Sequence, residues 1–492
     1  VRYPGFCGGT KATRSPLANN ERTVNWYPEM SGERLVLYPT PGFSPYITVG
    51  TPPVPNCRAM FSENNQTFVV MGQSFYEIVG QGAAIFRGTL ASGDLTVPAQ
   101  IASNGTVGGH LLVASGGDAY CYVLSTQTFT KVLTGEADMI GMLDGYFLAF
   151  NKTNGKVRFS GLNTGLLWNN LDFFQRGIAP DNWQAMCVNQ GRIWLIGEHT
   201  GEVWWDQGGA SIPFAPIQSS VFSFGIVAPW SLIAIGDTVR WLSQSRDGDG
   251  IVVSARGYRP ERISDSATEY AIAQMKNSSR IDDCEALTYQ EAGHTYTSLC
   301  FPTAHQTRVY DDLTQLWHER AYWNPATRTW SEWTARRHMQ AYGKHLVGDA
   351  TSGVISQMDQ RYFTERDGSV IRRVRAAPVL HGEGERVFVD RLELYLEPGL
   401  GPEPGVYYSD PKVSLAMSYD GGKTWSNERF VGAGLVGQYG RRLVWCRNGS
   451  GWAAQARFTC TDPVTWNVID CFLDGSGFAQ GGGGQGGNEA AA

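Results

Sequence analysis

Charge is what this chain has least of. Lys, Arg, Asp and Glu together make up 17% of its 492 residues, and neither sign dominates: 40 basic against 46 acidic side chains leave a net charge of −6. A protein that grips nucleic acid through many phosphates carries a basic patch or stripe, and no such overall bias exists here. Contact with DNA is therefore expected to be confined or sliding, because counterion release needs clustered Lys and Arg. Long hydrophobic runs are also missing. No stretch approaches the ~18 apolar residues of a membrane span, and the opening VRYPGFCGGT lacks the ~7–15-residue apolar core of a secretion signal. The expectation is a soluble product made in the cytoplasm.

Several chemistries lack their residue patterns. The nine cysteines (Cys7, Cys57, Cys121, Cys187, Cys284, Cys300, Cys446, Cys460, Cys471) form no CxxC pair, so a zinc site has no ligand spacing to build on. Their odd number and irregular spacing read as buried, reduced thiols acting as small hydrophobes. The eight histidines (His110, His199, His294, His305, His318, His338, His345, His381) are scattered, without HxxxH or HExxH. GxSxG and GxxxxGK[ST] are absent too. No cofactor, metal ligand or catalytic residue is expected.

What the chain does have is aromatic residues and glycine. Phe, Trp and Tyr reach 12%, and there are 59 glycines. Aromatic and β-branched side chains suit a pleated surface, and glycine suits tight turns, so the composition reads as many short strands joined by many turns. A unit of strand, glycine-containing turn and second strand recurs at 67–79, 110–124, 146–162, 192–206, 239–255, 296–312 and 344–359. Its anchors Val69, Leu112, Leu148, Trp194, Trp241, Cys300 and Val347 are 43, 36, 46, 47, 59 and 47 residues apart. Propeller blades repeat at about 40–50 residues, and hairpins that cannot bury both faces alone can do so by stacking radially. The predicted fold is all-β: a β-propeller of six or seven blades over 56–375. One short helix is expected at 266–280, as a connection between blades.

The flanks differ. Residues 1–55 carry Pro4, Pro16, Pro28, Pro39, Pro41 and Pro45 and show little periodicity, which predicts an extended N-terminal arm. Strands over 376–475 alternate, with turns every 8–12 residues or somewhat more, as in a β-sandwich-like domain. Residues 476–492 form a Gly-rich tail with the composition of flexible coil.

The sharpest local motif is SYDGGKTW, which fits the Asp box S-x-D-x-G-x-T-W. In such a hairpin Ser418 and Asp420 bond the turn backbone, Gly421 and Gly422 permit the turn, Thr424 completes the pattern and Trp425 packs beneath. Sialidase-like propellers carry several copies and an arginine triad, whereas here there is one copy and a weak echo at 327–333, so the expected role is structural. Paired carboxylates at Asp282/Asp283 and Asp311/Asp312 and the acidic loop 247–250 read as solvated turns, since strand neighbours face opposite ways. The run Val203–Trp204–Trp205 reads as blade core. Arg336, Arg337, Arg372, Arg373, Arg375, Arg441 and Arg442 are candidates for a channel or an interface, with ordinary surface charge as the plainer reading.

Four segments resemble, in order, the packaged-DNA stabilisation or tail hub (nozzle) proteins of short-tailed phages. They are NNERTVNWYPEM (19–30) with LVLYPTPGFSPY (35–46), GEHTGEVWWD (197–206), VRWLSQSRDGDGIVVSARGYRPERIS (239–264), and LAMSYDGGKTWSNERFVGAGLVGQYGRRLVWCRNG (415–449). The Gly-rich tail departs from that family's pattern. The resemblance implies a non-enzymatic virion protein, a homohexamer below the portal–adaptor complex, forming part of the DNA channel and retaining packaged DNA. It implies as partners the adaptor (head-to-tail connector) protein, a tail fibre or tailspike, a tail plug or needle, and double-stranded DNA bound without sequence specificity. The residues leave two alternatives: a carbohydrate-active propeller (sialidase-like or a tail depolymerase), and a receptor-binding module.

Overall fold

Alternation of apolar side chains along each repeated strand sets the architecture. The structure, a computed structural model, describes residues 1–50, 56–90, 95–175, 178, 181–209, 212–245, 248–382, 384–401 and 410–477. Strand neighbours point to opposite faces. Phe68 and Val70 therefore turn one way and pack with Leu111 and Val113 of the next repeat. Val69 and Met71 turn the other way and pack with Leu346 and Ile355 of the last repeat. Leu112 and Ala114 likewise reach Phe147 and Ala149. Every hairpin is thus covered on both faces by its neighbours, at about 1.5–3 kcal/mol per fully buried large aliphatic or aromatic side chain.

The described residues contain seven such sheets, with strands within 57–89, 100–137, 139–175, 183–216, 225–262, 285–311 and 335–359. Each of the seven sequence repeats supplies the second and third strands of one sheet. The innermost strand of each sheet lies beside the innermost strand of the next, and Ala335–Ala341 lies beside Cys57–Glu63. The ring closes at seven blades, which settles the six-or-seven expectation. Five of the seven innermost hairpins turn on two residues of positive φ: Asn64–Asn65, Asp144–Gly145, Gln190–Gly191, Ala292–Gly293 and Tyr342–Gly343. Turns of that kind match the right-handed twist of the flanking strands. The helix Ser266–Ser278, capped by Asp265 accepting from the Thr268 amide, stands between the fifth and sixth blades, as expected.

The outermost strand of the seventh blade comes from the other end of the sequence. Gly42–Thr48 pairs antiparallel with Val354–Asp359, from Gly42↔Asp359 to Thr48↔Val354. Pro45 is tolerated there because this is an edge strand, and the ladder shifts register beside it, between Ile355 and Ser356.

The described residues form two compact units: Pro41–Gln315 with Arg320–Ser369, and Val1–Thr40 with Leu316–Glu319 and the described residues from Val370 onward. The second unit is a sandwich. One sheet carries Asn20–Val24, Arg373–Ala376, Ala453–Cys460, Lys412–Ser418 and Arg429–Gly432 in that spatial order. The other carries Trp26–Ser31, Arg34–Pro39, Val468–Ser476, Val387–Leu396 and Leu443–Cys446. Its core joins Tyr3, Phe6, Trp26 and Leu37 to Val389, Leu392, Leu415, Phe458 and Leu473. Residues 1–40 are therefore strands and core of the sandwich, where an extended arm was expected. The prolines misled: Pro28 sits on the edge strand Trp26–Ser31, where a missing N–H costs little. Trp26 is fully buried and donates its Nε1–H to the Trp466 carbonyl at 2.9 Å. Of the expected Gly-rich tail, residues 478–492 lie outside the described residues.

Candidate functional site

The Asp-box hairpin in the sandwich unit is built as its residues dictate. Ser418 donates to Asp420 Oδ1 at 2.7 Å and accepts from the Gly422 amide at 2.8 Å. Asp420 accepts from the Lys423 and Thr424 amides at 2.9 Å and from the Thr424 hydroxyl at 2.6 Å. These bonds, the Thr424 hydroxyl first, hold the Asp420 carboxyl well below the usual carboxylate range. Gly421 and Gly422 both have positive φ, 73° and 85°. The carboxylate is consumed by its own turn, which is a structural use. Trp425 lies half-buried with the Arg457 guanidinium 4.3 Å from its ring centroid. Sequence reasoning missed that stacking partner, because Arg457 is 32 residues away along the chain and meets Trp425 only through strand pairing.

Of the seven arginines proposed for a channel or interface, three are buried, two half-buried and two exposed, and for the buried three the structure corrects the expectation. Arg373 and Arg375 are fully buried, and Arg336 is 6% exposed. Arg375 donates to the carbonyls of Phe6 (2.6 Å), Gly9 (3.0 Å) and Gly5 (3.1 Å), to Thr23 Oγ1 (2.8 Å) and to Glu21 (2.7 Å). Arg373 reaches the carbonyls of Thr40 and Ile371 at 3.3 Å. Arg336 pairs with Glu332 at 3.2 Å, and Arg337 pairs with Glu285 at 2.9 Å. Folding draws these cations inward because a guanidinium can satisfy several orphan carbonyls at once. Arg372 is half-buried against Glu428. Arg441 and Arg442 are exposed, Arg442 held by Glu393 at 2.5 Å.

The acidic pairs are similarly occupied. Asp282 pairs with Arg280 at 2.8 Å, and Asp283 accepts from the Thr303 amide at 2.9 Å. Asp311 is buried against His294 Nδ1 at 2.8 Å, and Asp312 binds Arg240. Asp311 thus departs from the solvated-turn reading. The acidic loop 247–250 begins at a residue outside those described, and of its Gly248 and Asp249 only the backbone is described. Val203 and Trp204 are blade core as expected, but Trp205, on the opposite face, is 40% exposed. The nine cysteines are free thiols; Cys446 is exposed and Cys187 half-buried. Burial pushes Cys57, Cys121, Cys187 and Cys300 up to about 12, leaving them un-ionised. Among the described residues no group of three or more His, Cys, Asp or Glu side chains is placed to hold a metal.

A cleft of about 510 Å³ in the propeller unit lies between the third and fourth blades and is lined by Asp138, Lys152, Asn154, Gln175, Asp181 and Gln184 among others. Asp181 is spent on the His199 and Thr200 amides at 2.9 and 2.7 Å, and Asp138 on the Lys152 amide at 2.8 Å. Neither carboxylate is poised for acid–base work.

Against known proteins, the family model described as bacteriophage P22 Gp10, β-propeller, matches residues 28–362, and that described as bacteriophage P22 Gp10, β-sandwich, matches residues 372–475. No curated protein matches the chain. Among solved structures it is similar to the extracellular domain of BT4673 from B. thetaiotaomicron, at 9% identity and a TM-score of 0.43; it covers 73% of this chain but only 45% of that one. It is also similar to a catalytically inactive virginiamycin B lyase from Staphylococcus aureus (8% identity, 63% and 97% of the two chains, TM-score 0.37). A third is an auxiliary nutrient binding protein from Bacteroides thetaiotaomicron (7% identity, 64% and 76%, TM-score 0.37).

Proposed function

Since the chain belongs to the family of bacteriophage P22 Gp10, a structural component of the phage virion that stabilises packaged DNA, we propose that it serves as the tail hub, or nozzle. In this reading it attaches below the portal–adaptor complex as a homohexamer, forms part of the DNA channel and offers surfaces to a tail fibre or tailspike and to a plug or needle. The observation that carries the reading is the collinear match of both family models, propeller then sandwich, over nearly all of residues 28–475. The site chemistry supports it: the Asp box and the paired acids are engaged in turns and ion pairs, so their roles are structural. A sixfold ring of this kind requires a large head-to-tail interface between copies.

The test is made on particles. Virions assembled without this protein are expected to package DNA and then lose it, read as a fall in nuclease-resistant DNA per capsid, and to recover when the purified protein is added. Retention equal to that of complete particles would overturn the reading. Native mass spectrometry with the adaptor ring is expected to show six copies; a lone monomer that cleaves glycan would favour the carbohydrate-active alternative, and a trimer the receptor-binding one.

A further inference from the structure

One sheet of the sandwich unit carries Arg457 among a cluster of charged side chains. Strand register places Arg22, Ala376, Arg457 and Ala416 in one row across four adjacent strands. Side chains in such a row share a face, so Arg457 rises between two alanines, with Arg22 two strands away, roughly 10 Å at the usual strand spacing. Arg22 is engaged by Glu319 through two bonds of 3.0 and 2.6 Å. Arg372 shares Glu428 at 3.2 Å. Arg457 has no ion pair or hydrogen bond among the described residues; its Cζ lies over the Trp425 ring, 4.3 Å from the centroid, and its Nε is buried without a partner there. Three guanidiniums thus share two carboxylates, and among the described residues Arg457 is the one of the three without a direct ion pair. Burial pushes the Arg457 pKa down; Glu428 opposes this, and the neighbouring Arg372 and Arg22 add to it. All of these arginines stay partly open to solvent.

A guanidinium held against an aromatic ring has lost much of its rotamer freedom and still has N–H donors for a planar or tetrahedral oxyanion. Alanines on both sides leave room for that anion to approach. We propose that Arg457, stacked on Trp425 and flanked by Arg372, binds a phosphate of the DNA backbone without reading sequence. The inference rests on the DNA-stabilising role and assigns it a contact. It also fits a chain of net charge −6, in which binding comes from a few placed cations while the general field stays unfavourable.

The test uses the purified full chain and a fluorescently labelled random-sequence duplex, with anisotropy measured across a salt series. Wild type is expected to bind at low salt. Arg457→Gln should flatten the log–log salt slope by about 0.9, the loss of one phosphate contact, so that the wild-type advantage changes roughly 3.5-fold between about 50 and about 200 mM salt. Arg457→Lys should keep the slope, because counterion release follows charge, and Arg259→Gln, an exposed arginine on the propeller, should leave it unchanged. If wild type binds and Arg457→Gln has the same slope, the site is wrong while the DNA-stabilising role stands. If wild type binds no DNA, the site is also wrong, and the role is judged separately by DNA retention in particles. A loss of self-association in Arg457→Gln, with DNA binding intact, would also overturn the proposal, assigning the cation to a carboxylate of a second copy.

Discussion

Replacing Arg375 by methionine should unlock the N-terminal strands of the sandwich. The side chain is 1% exposed and makes five hydrogen bonds, to three carbonyls between Gly5 and Gly9, to Thr23 and to Glu21. Methionine fills similar volume, so the packing loss is small and the polar loss dominates. Glu21, 6% exposed, keeps only Asn19 Nδ2 at 3.2 Å as a side-chain donor. Breaking one partner of a buried pair costs about 3–5 kcal/mol, because the other charge is left stranded. At about 1.4 kcal/mol per decade that is on the order of 10²–10³-fold in amide protection. The assay is native-state hydrogen exchange over residues 5–24, since two compact units make a single global unfolding energy ill-defined. The double variant Glu21→Gln/Arg375→Met should regain part of the loss, as the stranded charge is gone. Protection unchanged within tenfold in the single variant, or no recovery in the double, would refute the reasoning.

Other perturbations have equally definite outcomes. Asp420→Asn should cost about 1–3 kcal/mol locally, seen as faster exchange of the Lys423 and Thr424 amides that the carboxylate holds. Its depressed pKa means this contribution is complete above the ordinary carboxylate value of about 3.9 and is lost only as pH falls through the lower folded value, so the hairpin should hold at mildly acidic pH. Glu291 behaves oppositely: burial pushes it up to about 7, Arg320 opposing and Asp359 adding. Its contribution is full below the unfolded carboxylate value and is lost as pH rises toward 7, so Glu291→Gln should raise the melting temperature at pH 8 and leave it nearly unchanged at pH 4. Arg58 joins its own blade to the second through the carbonyls of Val97 (2.8 Å) and Gly72 (2.9 Å) and Ser115 Oγ (2.8 Å). Arg58→Met should destabilise the propeller by about 2–3 kcal/mol in chemical denaturation.

The propeller was legible because each blade repeats one local pattern, and its alternation survives any variation in loop length. The Asp box was legible for the same reason: Ser418, Asp420 and Thr424 bond within four residues of each other. What was illegible depends on distant partners. Nothing local distinguishes Arg375, wrapped in the carbonyls of residues 5–9, from exposed Arg441. The N-terminal strands escaped notice because edge positions tolerate the prolines that usually argue against strands. Trp425 was expected beneath its hairpin, but the cation against it arrives from Ala453–Cys460, which neighbours the hairpin's first strand in the sheet yet is distant in sequence.

The clasp formed by Gly42–Thr48 has a mechanical consequence. From that strand the chain runs on into the first blade, so every boundary between neighbouring blades is crossed by covalent backbone. The circle has its single seam inside the seventh blade, where six residue pairs hold Gly42–Thr48 to Val354–Asp359. Tension along those strands loads all the rungs of that seam together, while a pull across them unzips it rung by rung. A disc carried in a particle under internal pressure would therefore be toughest, or weakest, according to which way its neighbours tug on one short ribbon.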